Sequence, residues 1–319
     1  MTEPLRPMST GQLLDQTFAL YRNNFWLFAG IATVGPAASV IFQLITVGAN
    51  VTSPFGTRMA PGTKLGVGTG AAAVMSIVLG YGIMLAGIAI SHAATVKAVA
   101  AVHLGRETSV IGAYKALWGR LLSLFGTCVL ILLLIVAAII AVTIVLIPVF
   151  FGITALSRST RGSQAAGVFV GVIFVLLILG LMVAAITLVY VRYALAIQAC
   201  MVENLGPIAS LRRSAFLSKG GRWRVVVVYL IFALLAVILG LGFTELAKGV
   251  GGLLHNRIAA AVLVYAAGFI AGSVTGPLAT IGLSLLYYDE RVRKEAFDLQ
   301  LMLASLDPPE ATMPIPAQA

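Results

Sequence analysis

Long uncharged apolar runs, separated by short basic segments, set the pattern of the chain. A bilayer's hydrocarbon core is about 30 Å thick, so a helical crossing needs roughly 20 apolar residues. Six runs are of that order and free of Asp, Glu, Lys and Arg: Phe25 to Val47, Val67 to Ile90, Leu121 to Ile147, Ala165 to Val191, Val225 to Phe243 and Ile258 to Tyr287. They predict an all-α polytopic membrane protein. Leu121 to Leu156 is a single uncharged run of 36 residues, so Pro148 is expected to mark a bend or the point where a long helix leaves the membrane. The 24-residue head before the first run is too long, and too acidic at Asp15, for a cleaved signal segment, and is expected to be retained.

A repeat underlies the six runs. Gly66 with Gly70, Gly167 with Gly171, and Gly268 with Gly272 form three G-x-x-x-G pairs at an offset of 101 residues. The same offset relates Leu104, Leu205 and Leu306, and pairs Val191 and Arg192 with Val292 and Arg293. Before each odd-numbered run lies an amphipathic stretch, with apolar positions at helical spacing. Leu13, Leu14, Phe18 and Tyr21 form the first, Val110, Ile111, Tyr114 and Leu117 the second, and Ile208, Leu211 and Leu217 the third. The expected unit is an interfacial helix, a crossing, an outer loop and a crossing back. Three such helical hairpins give repeats of about 1–104, 105–205 and 206–306 within one membrane domain, 1–306, followed by a disordered Pro-rich tail, 307–319.

The glycine pairs are expected to let helix backbones approach closely, hairpin against hairpin, with an oligomer seam as the alternative. Trp26, Trp118 and Trp223, the only tryptophans, fall where each amphipathic stretch turns into an apolar run, which suits indoles anchored at the membrane interface.

Charge adds an orientation. Of the 21 Lys and Arg residues, 15 lie in the N-terminal head, around 97–120, around 192–224 and in the C-terminal segment, and 6 in the intervening loops. Positively charged loops resist translocation, so both termini are expected in the cytoplasm. The net charge of +10 reads as topology, and nucleic acid is not an expected partner because the cations are scattered.

Chemistry is sparse. Cys128 and Cys200 sit in apolar sequence, His92, His103 and His255 are spread over two membrane faces, and the central parts of the six runs carry no ionisable carboxylate or cation. No catalytic site, metal or cofactor is expected. The residues with the strongest claim to a headgroup or partner contact are Arg192, Arg212, Arg213, Lys219, Arg291 and Arg293, on the basic side. Glu245 with Lys248 reads as an interfacial pair. Pro36, Pro148 and Pro277 interrupt apolar runs, as in the broken helices of transporters or as kinks filled by neighbours.

Three stretches resemble bacterial membrane proteins related to the glycerophosphoryl diester phosphodiesterase membrane domain. They are Pro7-Met8-Ser9-Thr10-Gly11-Gln12-Leu13-Leu14-Asp15 with Tyr21-Arg22-Asn23-Asn24-Phe25, then Glu203-Asn204-Leu205-Gly206-Pro207-Ile208-Ala209-Ser210-Leu211-Arg212-Arg213-Ser214, and Leu285-Leu286-Tyr287-Tyr288-Asp289-Glu290-Arg291-Val292-Arg293-Lys294-Glu295. In some relatives that domain is joined to a soluble phosphodiesterase barrel. The 13 residues after Leu306 are too few for one, so none is expected here, and the resemblance implies ancestry in a bacterial inner membrane and carries over no catalytic residue. The expected function is a non-enzymatic membrane module that binds lipids, a protein partner or a second copy of itself; the alternative is a transporter or permease for a lipid-like or amphipathic solute.

Overall fold

A computed structural model describes residues 8–48, 67–103, 105–159, 164–254 and 256–296. Gly66, Leu104, His255, Leu306 and the tail 307–319 lie outside the described residues. Among the described residues the fold is entirely helical, and six helical segments are long and apolar enough to cross a membrane. The chain is an integral membrane protein.

Helix α1 (Thr10–Asn23) opens on a reciprocal cap. The Ser9 hydroxyl accepts from the Gln12 backbone N–H at 3.3 Å, while the Gln12 side chain accepts from the Ser9 N–H at 2.8 Å. Leu13, Thr17 and Tyr21, four apart, form its buried stripe. The first apolar run is not one helix but two, α2 (Phe25–Ala32) and α3 (Val34–Gly48), broken at Thr33. Pro36 then falls in the first turn of α3, where its missing N–H costs no helical bond.

α4 (Val67–His103) returns along α3, and the two pack over much of their length. After the short α5 (Val110–Lys115) and a 3-10 turn at Trp118–Arg120, α6 (Leu121–Ser159) and α7 (Gln164–Tyr193) form the next packed pair. α6 runs on through Pro148, so the proline does not end the helix. Two short helices follow, α8 (Ala196–Val202) and α9 (Pro207–Ser218), and then the pair α10 (Arg222–Leu253) and α11 (Arg257–Glu295). The long helices overrun the apolar stretches expected from sequence: α4 by 13 residues beyond Ile90, α11 by 8 beyond Tyr287. A charged residue ends an apolar run, but a helix keeps its backbone bonds as it leaves hydrocarbon.

Burial is uneven. One end of the bundle gathers the short helices, the start of α10 and the last turns of α4 and α11 around fully buried Leu13, Phe28, Leu117, Leu195, Met201, Leu217 and Leu285. Both ends of the described chain lie there, for the Met8 N–H donates to Asp289 at 2.6 Å. Carboxylates and cations gather at this end, the ionic end of the bundle. Away from it α6 and α7 expose Leu133, Ile144, Leu176 and Leu188, an apolar sleeve suited to lipid. α11 is the central helix, touching α1, α2, α3, α4, α8 and α9 as well as α10.

Tyrosines of the short helices reach carbonyls of the membrane helices at two points. The end of α2 leaves the Ile31 carbonyl without its helical donor, and it accepts from the Tyr114 hydroxyl at 2.5 Å and the Ser91 hydroxyl at 3.3 Å. α11 stays helical through Pro277, and three residues before that proline the Val274 carbonyl accepts from the Tyr21 hydroxyl at 2.7 Å. Burial pushes the Tyr21 phenol up to about 12, so it remains a neutral donor at physiological pH. The short helices α5 and α1 are therefore tied by tyrosines to the α2–α3 break and to the middle of α11.

Candidate functional site

Two polar regions stand out, one at the ionic end and one at membrane depth. At the ionic end the last two turns of α11 carry three acid–base pairs at i,i+4: Asp289 with Arg293, Glu290 with Lys294, and Arg291 with Glu295. Other elements close on them. Arg224, in the first turn of α10, reaches Asp289 at 2.7 Å and Glu290 at 3.1 Å. Arg224 and Arg293 also donate to the Met8 carbonyl, at 3.0 and 2.6 Å. The Asp289 side chain is fully buried, held by two guanidinium groups and a backbone N–H. Lys294 donates to the Phe216, Leu217 and Lys219 carbonyls and so caps the end of α9.

A second knot joins α8, α9 and α11. Arg213 donates from Nε to both Glu203 oxygens, at 2.8 and 2.9 Å, and pairs through its two terminal nitrogens with Glu295. Arg291 approaches Glu203 and Glu295 at 3.6 and 3.3 Å, and the Tyr287 hydroxyl donates to Glu203. Hydrogen bonding to Glu295 and then Glu203 holds the Arg213 guanidinium firmly charged, above its usual range.

The six cations picked out by sequence thus divide. Arg213, Arg291 and Arg293 are turned inward onto carboxylates of the same chain. Arg192, Arg212 and Lys219 are exposed. The Arg192 guanidinium stands 5.8 Å from the Tyr193 ring, and its backbone carbonyl accepts from Ser214 at 3.0 Å. Trp26, Trp118 and Trp223 are 85%, 81% and 75% exposed, so none of them is a core residue. Sequence reading missed Met8, Arg224, Tyr287, Asp289, Glu290, Lys294 and Glu295 as members of the network. For α11 the signal was present, since three i,i+4 pairs of opposite charge lie within seven residues.

The glycine pairs also separate. A Cβ on Gly272 would stand 2.8 Å from Pro36 Cγ, so α11 and α3 meet more closely than an alanine allows. Gly268 and Gly171 face open space, while Gly70 and Gly167 lie in the helical backbone of α4 and α7.

The second polar region is a cleft of about 470 Å³ between α2, α3, α4, α10 and α11. Pro36 and Pro277 both border it, as do Gly268 and Gly272. Its polar lining comes from Ser39, Gln43, Ser91, His92, Thr95, Thr244 and Tyr265, with the Thr95 hydroxyl donating to the Ser91 carbonyl at 2.9 Å. The serine and threonine hydroxyls are satisfied by carbonyls: Ser39 by Gly35 at 3.2 Å, Ser91 by Ile31 at 3.3 Å, Thr244 by Gly240 at 2.8 Å. His92 and Tyr265 make no hydrogen bond among the described residues. Beyond Val264 and Tyr265 the cleft continues into a shallow hollow of about 410 Å³ beside Lys248, at the end of the bundle away from the ionic end. There Lys248 and Glu245 form an exposed ion pair at 2.6 Å.

Metal chemistry finds no support in clustering: among the described residues no three His, Cys, Asp or Glu side chains converge. His92 lines the cleft, whereas His103 stacks on Tyr288 at the ionic end with ring centroids 5.1 Å apart. Comparison of the chain with protein-family models, with characterised proteins and with solved structures returned no match.

Proposed function

We propose that this protein is a non-enzymatic, lipid-binding membrane module whose cleft receives part of an amphipathic molecule. The observation that carries the reading is the cleft itself. It is walled by helices at membrane depth, is large enough for a stretch of acyl chain, and holds two polar groups, His92 and Tyr265, that no described protein group satisfies. In hydrocarbon such groups are costly unless something hydrogen-bonds them, and an ester or hydroxyl of a lipid does so while its chain lies along Ile88, Val264 and Phe269. The charge pattern supports placing the ionic end and both termini in the cytoplasm of a bacterial inner membrane. The resemblance of the Glu203–Ser214 and Leu285–Glu295 stretches to the glycerophosphoryl diester phosphodiesterase membrane domain supports a shared ancestry for the membrane part.

The test is lipid retention. The protein is extracted into native-membrane discs, and its tightly held lipids are counted by native mass spectrometry for the parent and for Gly268→Leu, which fills the open side of the cleft. Loss of one retained lipid in the variant is the expected result; unchanged retention would refute the reading.

A transporter or permease for the same class of solute is the second reading. It is favoured by one specific feature, that Pro36, just after the α2–α3 break, and Pro277, inside α11, both border the cleft. Lipid flux in proteoliposomes separates the two: a binding module holds its ligand without moving it.

A further inference from the structure

The cleft and the hollow beside Lys248 are two parts of one groove, for Val264 and Tyr265 border both. On α11 the facing residues recur at helical spacing, from Ala260 and Ala261 through Gly268 to Gly276, about 24 Å of helix. That length exceeds one leaflet's half of a hydrocarbon core about 30 Å thick. On α10 the facing residues are Thr244, Lys248 and Gly252, four apart. A Cβ on Gly252 or Gly268 would meet nothing within 4 Å, so the groove is open beside both. One position away the helices close: a Cβ on Gly251 would stand 2.9 Å from the Ala260 methyl.

The mouth of the groove carries charge of both signs. The Lys248 ammonium donates to the Glu245 carboxylate at 2.6 Å, and the two side chains are 58% and 63% exposed. Among the described side chains of α10 and α11 they are the only charged ones between Arg224 and Asp289. An exposed i,i+3 pair of this kind adds little stability, so both groups can turn to a ligand at small cost. An acid beside a base complements a headgroup that itself holds an anion beside a cation.

We propose that the groove takes a phospholipid with an ethanolamine head from the leaflet away from the ionic end, its phosphate on Lys248 and its primary ammonium on Glu245. The proposal rests on the cleft reading and adds the class of lipid and the side from which it enters. Tyr265 lies four residues below Ala261, about 6 Å along α11, where the ester groups follow the phosphate. The acyl chain then runs past Phe269 toward Pro277. A glycerol head offers Glu245 no cation, and a choline head keeps the charge but has no N–H to donate to the carboxylate.

The experiment uses the full-length protein, depleted of lipid in detergent and titrated with phosphatidylethanolamine, phosphatidylcholine and phosphatidylglycerol of identical acyl chains, read by native mass spectrometry. Phosphatidylethanolamine is expected to bind about tenfold or more tightly than the other two, the scale of one charge-assisted hydrogen bond. Glu245→Gln is expected to erase that preference by weakening phosphatidylethanolamine alone. Lys248→Gln is expected to weaken all three, since each carries a phosphate. Each variant removes one exposed charge and is expected to keep the parent Tm, which separates lost binding from misfolding. Equal affinity for the three lipids in the parent, or a preference that survives Glu245→Gln, overturns the proposal. If Gly268→Leu still displaces a retained lipid in either event, the cleft reading stands without it. If Gly268→Leu displaces none, the cleft reading fails and this proposal fails with it.

Discussion

The ionic end and the cleft are both polar regions of a mostly apolar protein, and they are built on opposite rules. At the ionic end Asp289, Glu290, Glu203 and Glu295 are each matched by cations, and even the Met8 backbone is used on both its N–H and its carbonyl. In the cleft, His92 and Tyr265 look into open volume. A saturated network fixes helices in place and has little capacity left for a ligand. An unsatisfied pair of groups in a roomy cleft does the reverse. The basic residues that first attract attention in the sequence are therefore divided between scaffold and surface, and the ligand-binding reading moves to residues that carry no formal charge.

Substitutions can sharpen this contrast. The largest effect is expected from Asp289→Ala, which leaves Arg293 and the Met8 N–H without their carboxylate and Arg224 with only Glu290: a loss of about 3 kcal/mol of stability, since breaking a buried pair strands its partners. Reversible unfolding in mixed micelles measures it, and lipid retention by the surviving folded fraction is expected to be normal. Tyr114→Phe is expected to cost about 1 kcal/mol in the same assay, because the Ile31 carbonyl at the α2–α3 break keeps only the longer bond from Ser91. His92→Leu inverts the pattern, with stability changed by less than about 1 kcal/mol and lipid retention weakened by about tenfold. The smallest effect is expected for Trp223→Ala, 75% exposed at the start of α10, within about 0.5 kcal/mol of the parent. Should Asp289→Ala abolish retention while His92→Leu spares it, the division between the two regions collapses.

Much of the architecture was legible because hydrophobicity in a membrane protein is read along one helix at a time. Each apolar run became a segment long and apolar enough to span, and Pro36 flagged the neighbourhood of the break at Thr33. Pro148 and Pro277 both lie inside helices that continue through them. The i,i+4 pairs of Asp289 to Glu295 were also local enough to see. What stayed hidden depends on separations the pattern does not encode. Arg213 meets Glu295 across 82 residues of sequence, and Tyr21 meets Val274 across 253. The cleft is assembled from the first two and last two spans, so no single segment carries its signature. Gly272 shows the same limit: its spacing marked a close approach, but only the fold names Pro36 as the partner.

The most direct measurement is photocrosslinking from inside the cleft. A photoreactive phenylalanine analogue placed at Tyr265, and for comparison at the lipid-facing Leu176 on α7, is irradiated in native membranes, and the adducts are identified by mass spectrometry. The account predicts a narrow set of lipid adducts at position 265, reduced by Gly268→Leu, against a spectrum at position 176 that mirrors the bulk membrane. The same bulk spectrum at both positions, insensitive to Gly268→Leu, would contradict it.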